Sequence, residues 1–297
     1  MSRARVAVVL CVVAIGACAC AALIVFVWTR RAVQVDVAGR AGVAPPAALA
    51  SLARGAYLYQ RGARCAACHA ADLGGAFVIR DPLVATLWGP NLTRGVRAVG
   101  VRYRDADFER AIRRGLRPSG QRLLAMPSWD YARMSDADVA SLIAYIRAAK
   151  PVVRDPPSFT LGVLGRLQLV SGILAFDSDH IADVPSEGAL PPGLAVARVA
   201  GCLRCHAADG MPAPPPLPPE RRGAALRDLP RLGFAALAVA VRDGRAPNGT
   251  AIAEHAAPAL PGSLDAPDVA ALCAYLDRTF GSAGPRASRT AHGECTP

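Results

Sequence analysis

Residues 64–69 read Arg-Cys-Ala-Ala-Cys-His, and residues 202–206 read Cys-Leu-Arg-Cys-His. Both are Cys-x-x-Cys-His: Cys65, Cys68 and His69 in the first copy, Cys202, Cys205 and His206 in the second. Two thiols at this spacing can each add to one vinyl group of a haem, and the adjacent imidazole then reaches the iron from one side. Two Cys-x-x-Cys pairs could also close one structural zinc site, and a single pair could act as a redox dithiol. The histidine follows the second cysteine both times, and each copy has a candidate sixth iron ligand downstream. The pattern therefore predicts two covalently bound c-type haems.

The sixth ligand sets the chemistry of a haem iron. Four methionines exist: Met1, Met126, Met134 and Met211. Met126 stands before Pro127 in a loop ahead of a helix start, and it is the expected partner of His69. The second half has no methionine at this place. Its loop runs Gly244, Pro247, Gly249, His255 where the first runs Gly115, Pro118, Gly120, Met126, each pair 129 positions apart. His255 is thus the expected partner of His206, with a plain surface histidine or an open iron as the alternatives. Met211 lies too close to His206 to cross the ring easily, and His180 and His292 read as ordinary side chains.

Working outward, Val6–Trp28 is an uncharged run of 23 residues. As a helix it is about 34 Å long, enough to cross a bilayer. It lacks the short apolar core and small-residue site of a cleaved leader, and it ends on Trp28, an interfacial residue type. The reading is an uncleaved anchor. Arg3 and Arg5 precede it and Arg30 and Arg31 follow, so charge does not orient it. Covalent haem attachment does, because that chemistry belongs to the outer side of the bacterial inner membrane.

The chain divides on these marks into a cytoplasmic stub (1–5), an anchor (6–28), a linker (29–50), a first domain (51–150), a connector (151–192), a second domain (193–281) and a disordered tail (282–297). A helix is expected over roughly Ala47–Arg61. Another is capped by Asp105 and stopped at Gly115. A third starts at Ser135, with Val139, Leu142, Ile143 and Ile146 at helical spacing, and ends before Pro151. Asp265 with Val269, Leu272, Cys273 and Leu276 repeats that last pattern in the second domain. Leu161–Phe176 is too broken by Gly162, Gly165 and Gly172 to be a second span, and reads as a connector packed on the domains. Each domain is near 90 residues, small for an unaided core, so buried haem should supply missing apolar volume.

The formal charge is +11, concentrated in the nine arginines of residues 94–122. That cluster suits a solvated surface, haem propionates or an acidic redox partner. Nucleic-acid binding is not expected, since no aromatic interleaving or recognition motif accompanies the charge. Nine cysteines show no even disulfide framework.

The runs Trp88–Thr93 (WGPNLT), Tyr103–Gly115 (YRDADFERAIRRG) and Ala125–Ala148 (AMPSWDYARMSDADVASLIAYIRA) resemble the cytochrome c subunits of membrane-bound bacterial alcohol and gluconate dehydrogenases. The resemblance covers about 51–150 and is weaker over 193–281. It implies that the Met of the Met-Pro pair, Met126 here, is a distal haem ligand.

The expectation is a mainly α protein: an N-terminal transmembrane helix, then two tandem cytochrome c domains carrying two haems c. Its expected role is single-electron transfer between redox partner proteins, such as a periplasmic dehydrogenase and a terminal oxidase or reductase, at the inner membrane. A dihaem enzyme of the peroxidase or thiosulfate-oxidising type is the alternative. No P-loop, nucleophile elbow or metalloprotease motif is present.

Overall fold

The structure, a computed structural model, describes residues 2–36, 42–154, 156–157, 159–181, 190–206, 225–226, 234–243, 245, 264–280 and 295. The chain begins with helix α1, Arg3–Ala32, capped by the Ser2 hydroxyl. Nearly all its side chains are exposed, so α1 contributes little to a protein core. It does not lead into a free linker. Val35 donates to Gly120 O at 3.0 Å, and Arg122 donates to Val33 O at 2.8 Å. Helix α1 is therefore stitched to the Gly-Pro-Gly loop that precedes Met126.

The first domain begins with α2, Leu52–Tyr57, capped by Ser51. The helix continues through a widened turn, Leu58–Gly62, in which Ala63 donates to Leu58 O. The expected start at Ala47 is a single 3₁₀ turn instead, because Ser51 supplies the cap four residues later. Then come α3 (Ala66–His69), α4 (Val99–Arg102), α5 (Asp105–Arg114), α6 (Ser128–Tyr131) and α7 (Asp136–Ala148). Helix α5 stops as expected at Gly115, which is left-handed at φ 63°. Its cap differs from expectation: Asp105 is the first helical residue, and Asp107 accepts from Arg104 N at 2.9 Å. Helix α7 is capped by Ser135 through Asp138 N, and Val139, Leu142, Ile143 and Ile146 are all buried.

A small antiparallel sheet was not visible in the sequence. It orders β1 (Phe77–Asp81), β2 (Ala85–Trp88) and β3 (Thr160–Leu161). The strands are short, and none alternates cleanly between apolar and polar residues. Helices α8 (Val163–Val170) and α9 (Asp177–His180) follow β3.

The second half contains α10 (Pro192–Val199), α11 (Phe234–Asp243) and α12 (Ala266–Phe280). Helices α10 and α12 cross as α2 and α7 do. A Cβ on Gly55 would lie 2.1 Å from Ser141 O, and one on Gly193 would lie 2.2 Å from Ala271 O. Tyr145 and Tyr275 flank these two contacts. Only a residue without a side chain lets the backbones meet this closely. The caps repeat too: Asp268 N donates to Asp265 Oδ1 at 2.9 Å, as Asp138 N does to Ser135 Oγ.

Two cores result. The first gathers Tyr59, Phe108, Ile112, Leu142 and Ile143; the second gathers Leu194, Leu203, Leu237, Val269 and Leu272. Trp129, from α6 of the first domain, belongs to the second core and is fully buried. Cys273 forms a disulfide with Cys295, Cα–Cα 5.5 Å, which ties the tail residue 295 back onto α12.

Candidate haem-binding site

The first Cys-x-x-Cys-His forms a tight turn leading into α3. Cys68 N and His69 N both donate to Cys65 O, at 3.2 and 2.9 Å. This brings both thiols and the ring to one side. They face a cavity of about 260 Å³ lined by Tyr59, Leu92, Val99, Phe108, Leu142 and Ile146, among others. Met126 lines the same cavity. Residues 57 positions apart, His69 and Met126, are thus brought to one space that is apolar over most of its wall.

His69 has its tautomer set by a neighbour. Its Nδ1 lies 2.9 Å from Pro90 O. A carbonyl can only accept, so Nδ1 carries the proton and Nε2 keeps its lone pair. Burial further disfavours the charged ring, outweighing the bond to Pro90. Burial also pushes the Cys65 thiol up to about 12 and raises Cys68. Both thiols are thus held in the neutral form by their apolar surroundings. Among the described residues, no three His, Cys, Asp or Glu side chains gather as a cation site.

The cavity fits a haem on a further count. Trp88 Nε1, Arg117 Nε and Arg122 Nε are buried without a hydrogen-bond partner, and all three residues line it. Buried donors normally find acceptors. The two carboxylates of a haem are acceptors of the right charge. Arg110 and Arg113 pair with Asp107, Glu109 and Asp136, and Arg122 pairs through its Nη1 with Asp179, while Arg117 and the Nε side of Arg122 line the cavity.

The second motif folds into the same turn: Cys205 N and His206 N both donate to Cys202 O, at 3.2 and 2.9 Å. Burial pushes the Cys202 thiol up to about 11. His255, Met211 and His292 lie outside the described residues, so the distal side of this motif has no geometry to report.

Sequence reasoning missed the cluster that joins the two motifs. Arg204, inside the second motif, donates from Nε to Asp130 Oδ2 at 2.7 Å and also pairs with Asp177. Arg198 lies over the Trp129 ring, 4.2 Å from its centroid, and donates to Trp129 O. A Cβ on Gly201 would meet Arg64 Nη2 at 3.2 Å and Asp130 Oδ2 at 3.7 Å. Arg64, which precedes Cys65, and Asp130 thus both lie beside Gly201, which precedes Cys202. The only signal in the sequence was charge within motifs, Arg64 and Arg204, and it named no partner.

Comparison with known proteins agrees with this geometry. Residues 50–146 match the family described as cytochrome C oxidase, cbb3-type, subunit III, and this stretch is a cytochrome c domain. The chain is 35% identical over 116 residues to the cytochrome c subunit of a quinone-dependent alcohol dehydrogenase from Gluconacetobacter polyoxogenes, covering 37% of this chain and 24% of that one. It is 39% identical over 116 residues to the fructose dehydrogenase cytochrome subunit of Gluconobacter japonicus, covering 36% and 23%. It is 36% identical over 97 residues to the gluconate 2-dehydrogenase cytochrome c subunit of Pantoea cypripedii, covering 31% and 22%. The matched stretch thus spans about a quarter of the length of these relatives. By name they are the cytochrome subunits of dehydrogenases, not the catalytic ones.

Proposed function

We propose that this protein is a membrane-anchored dihaem cytochrome c that passes single electrons along a respiratory chain outside the bacterial inner membrane. The observation that carries the reading is the cavity shared by Cys65, Cys68, His69 and Met126. A haem bound there would supply a one-electron iron couple. Cys65 and Cys68 would hold it by thioethers, and His69 and Met126 would supply ligands to its iron. Pro90 O would keep the imidazole oriented. Trp88, Arg117 and Arg122 would take the propionates. The apolar wall would exclude water and leave little to reorganise as charge changes.

The second haem would sit on Cys202, Cys205 and His206, with His255 as distal ligand. The repeated turn and the repeated helix crossing at Gly193 support a second cytochrome c domain. Among described helices, α1 is long and apolar enough to cross a membrane. The Cys273–Cys295 disulfide suits an oxidising compartment. The partners would be a dehydrogenase as donor, by analogy with the relatives, and an oxidase or reductase as acceptor.

The test is acid–acetone extraction of protein matured with a haem-attachment system. Two haems per chain should stay with the polypeptide. Complete loss of colour would reject the reading.

A further inference from the structure

The connector helix α8 has its polarity the wrong way round for a helix at a water-facing surface. Val163, Leu164, Leu167 and Val170 are each exposed, as is Ile173 just beyond, with exposures between 46% and 74%. At about 100° per residue, the four helical positions share one arc of about 120°. The opposite side is occupied. Leu169 is buried, and a Cβ on Gly165 would lie 2.0 Å from Val84 O. Leu164 N donates to Leu83 O at 2.8 Å, so the inner side of α8 is seated on the β1–β2 turn. Leu83 at the tip of that turn is itself exposed and extends the patch. The polar residues Arg166 and Gln168 flank the apolar arc. A contiguous exposed apolar face of this kind marks a surface that something covers.

The contacts of Arg166 say what covers it. Its Nη1 donates to Thr29 Oγ1 at 2.5 Å, and its guanidinium lies 4.5 Å from the centroid of the Phe26 ring. Helix α8 is thereby fixed beside the last turns of α1, at the level of Trp28, Arg30 and Arg31. That is where the apolar run ends and where an indole and basic side chains belong at a bilayer boundary. Arg30, Arg31 and Arg166 at one level would complement lipid phosphates. A helix with one apolar face, held beside the end of a span, suits interfacial burial.

We propose that the face formed by Val163, Leu164, Leu167, Val170 and Ile173 rests in the outer leaflet of the phospholipid bilayer that α1 spans. It rests on the anchored reading of α1 given above. The consequence is orientation. The anchor is tied to the loop before Met126 through Val33 and Val35, and α8 holds the same domain through the β1–β2 turn. Two attachments fix which side of the haem cavity faces the membrane, where one would leave it free to swivel.

The experiment uses the full-length holoprotein in vesicles of phosphatidylcholine and phosphatidylglycerol doped with a diazirine-bearing phospholipid. After irradiation and proteolysis, lipid adducts are mapped by mass spectrometry. Adducts should fall on α1 and on the peptide containing residues 163–173. The double variant Leu164→Glu, Leu167→Glu should lose most adducts on that peptide and keep those on α1, with its haem spectrum unchanged. If the glutamates cost the haem spectrum, Leu167→Gln is read in the same way. Adducts on α1 with none on α8 in the wild type would overturn the inference and leave the anchor standing. Equal α8 labelling in the folded variant would also overturn it. No adducts on α1 would reject the anchor, and the inference with it.

Discussion

Arg204 Nε lies 2.7 Å from Asp130 Oδ2, so a side chain within the second Cys-x-x-Cys-His is bonded to a residue four positions past Met126. The segment after Met126 and the second Cys-x-x-Cys-His turn are thus held together by Arg204, which pairs with Asp130 and with Asp177 from the stretch between them. Were both turns to carry haem, as proposed, this cluster would fix their separation, and rates of electron transfer fall steeply with distance. Arg204→Ala should leave Asp130 buried and uncompensated, at a cost of about 3 kcal/mol. Thermal unfolding followed by haem absorbance should then resolve into two transitions where the wild type shows one. Arg204→Lys should recover part of the loss.

The same cluster should make stability depend on pH. Burial pushes the Asp130 carboxyl up to about 6, Asp177 adds to the rise, and Arg204 and Arg198 oppose it. Arg64 faces the cluster beside Gly201. An unfolded aspartate titrates near 4. Between about 4 and 6 the folded chain therefore holds a proton that the unfolded chain has released. The site is most favourable below that window and loses stability as pH rises through it. Denaturation midpoints of wild type and Asp130→Asn should diverge between pH 4 and 7 on the scale of those two values. Parallel curves would contradict the assignment.

Gly55 and Gly193 offer a matched pair of substitutions. Alanine at either would place Cβ about 2 Å from a helix carbonyl, forcing the crossing apart at a cost of about 1–3 kcal/mol or more. Gly55→Ala should lower haem retention at the first site only, and Gly193→Ala at the second only. Haem-peptide mapping after proteolysis distinguishes them.

Breaking the Cys273–Cys295 disulfide by Cys273→Ser should cost about 3 kcal/mol, mostly by freeing the unfolded chain. The loss should appear in the second half of the chain, since Cys273 belongs to its core and Cys295 packs against it.

Much of the first domain was legible because its signals are local. Ser135 with Asp138 marks a helix start, Gly115 a helix stop, and Cys65, Cys68 and His69 a site, each within a few residues. Met126, which lines the cavity with His69, stands out in the sequence because proline follows it and only four methionines compete. What escaped depends on distant partners. Trp129 reads as a first-domain residue, yet it packs in the second core. Cys273 reads as an apolar position of α12, and nothing nearby announces Cys295. The apolar stretch from Leu161 looked like a connector packed on the domains. Its glycines are plain in the sequence, but exposure depends on which side Leu169 and Gly165 bury. The short strands β1 to β3 carry too few residues to show a period.

The most direct test of the account is a redox titration of the full-length protein beside Met126→Ala. A thioether raises the potential of a haem iron relative to imidazole ligation. The wild type should titrate in two separated waves, the upper from the His69–Met126 site and the lower from the His206–His255 site. Met126→Ala should move the upper wave down and abolish the weak far-red sulfur-to-iron band of the oxidised protein, leaving the lower wave in place. An upper wave and a far-red band both unchanged in Met126→Ala would contradict the site.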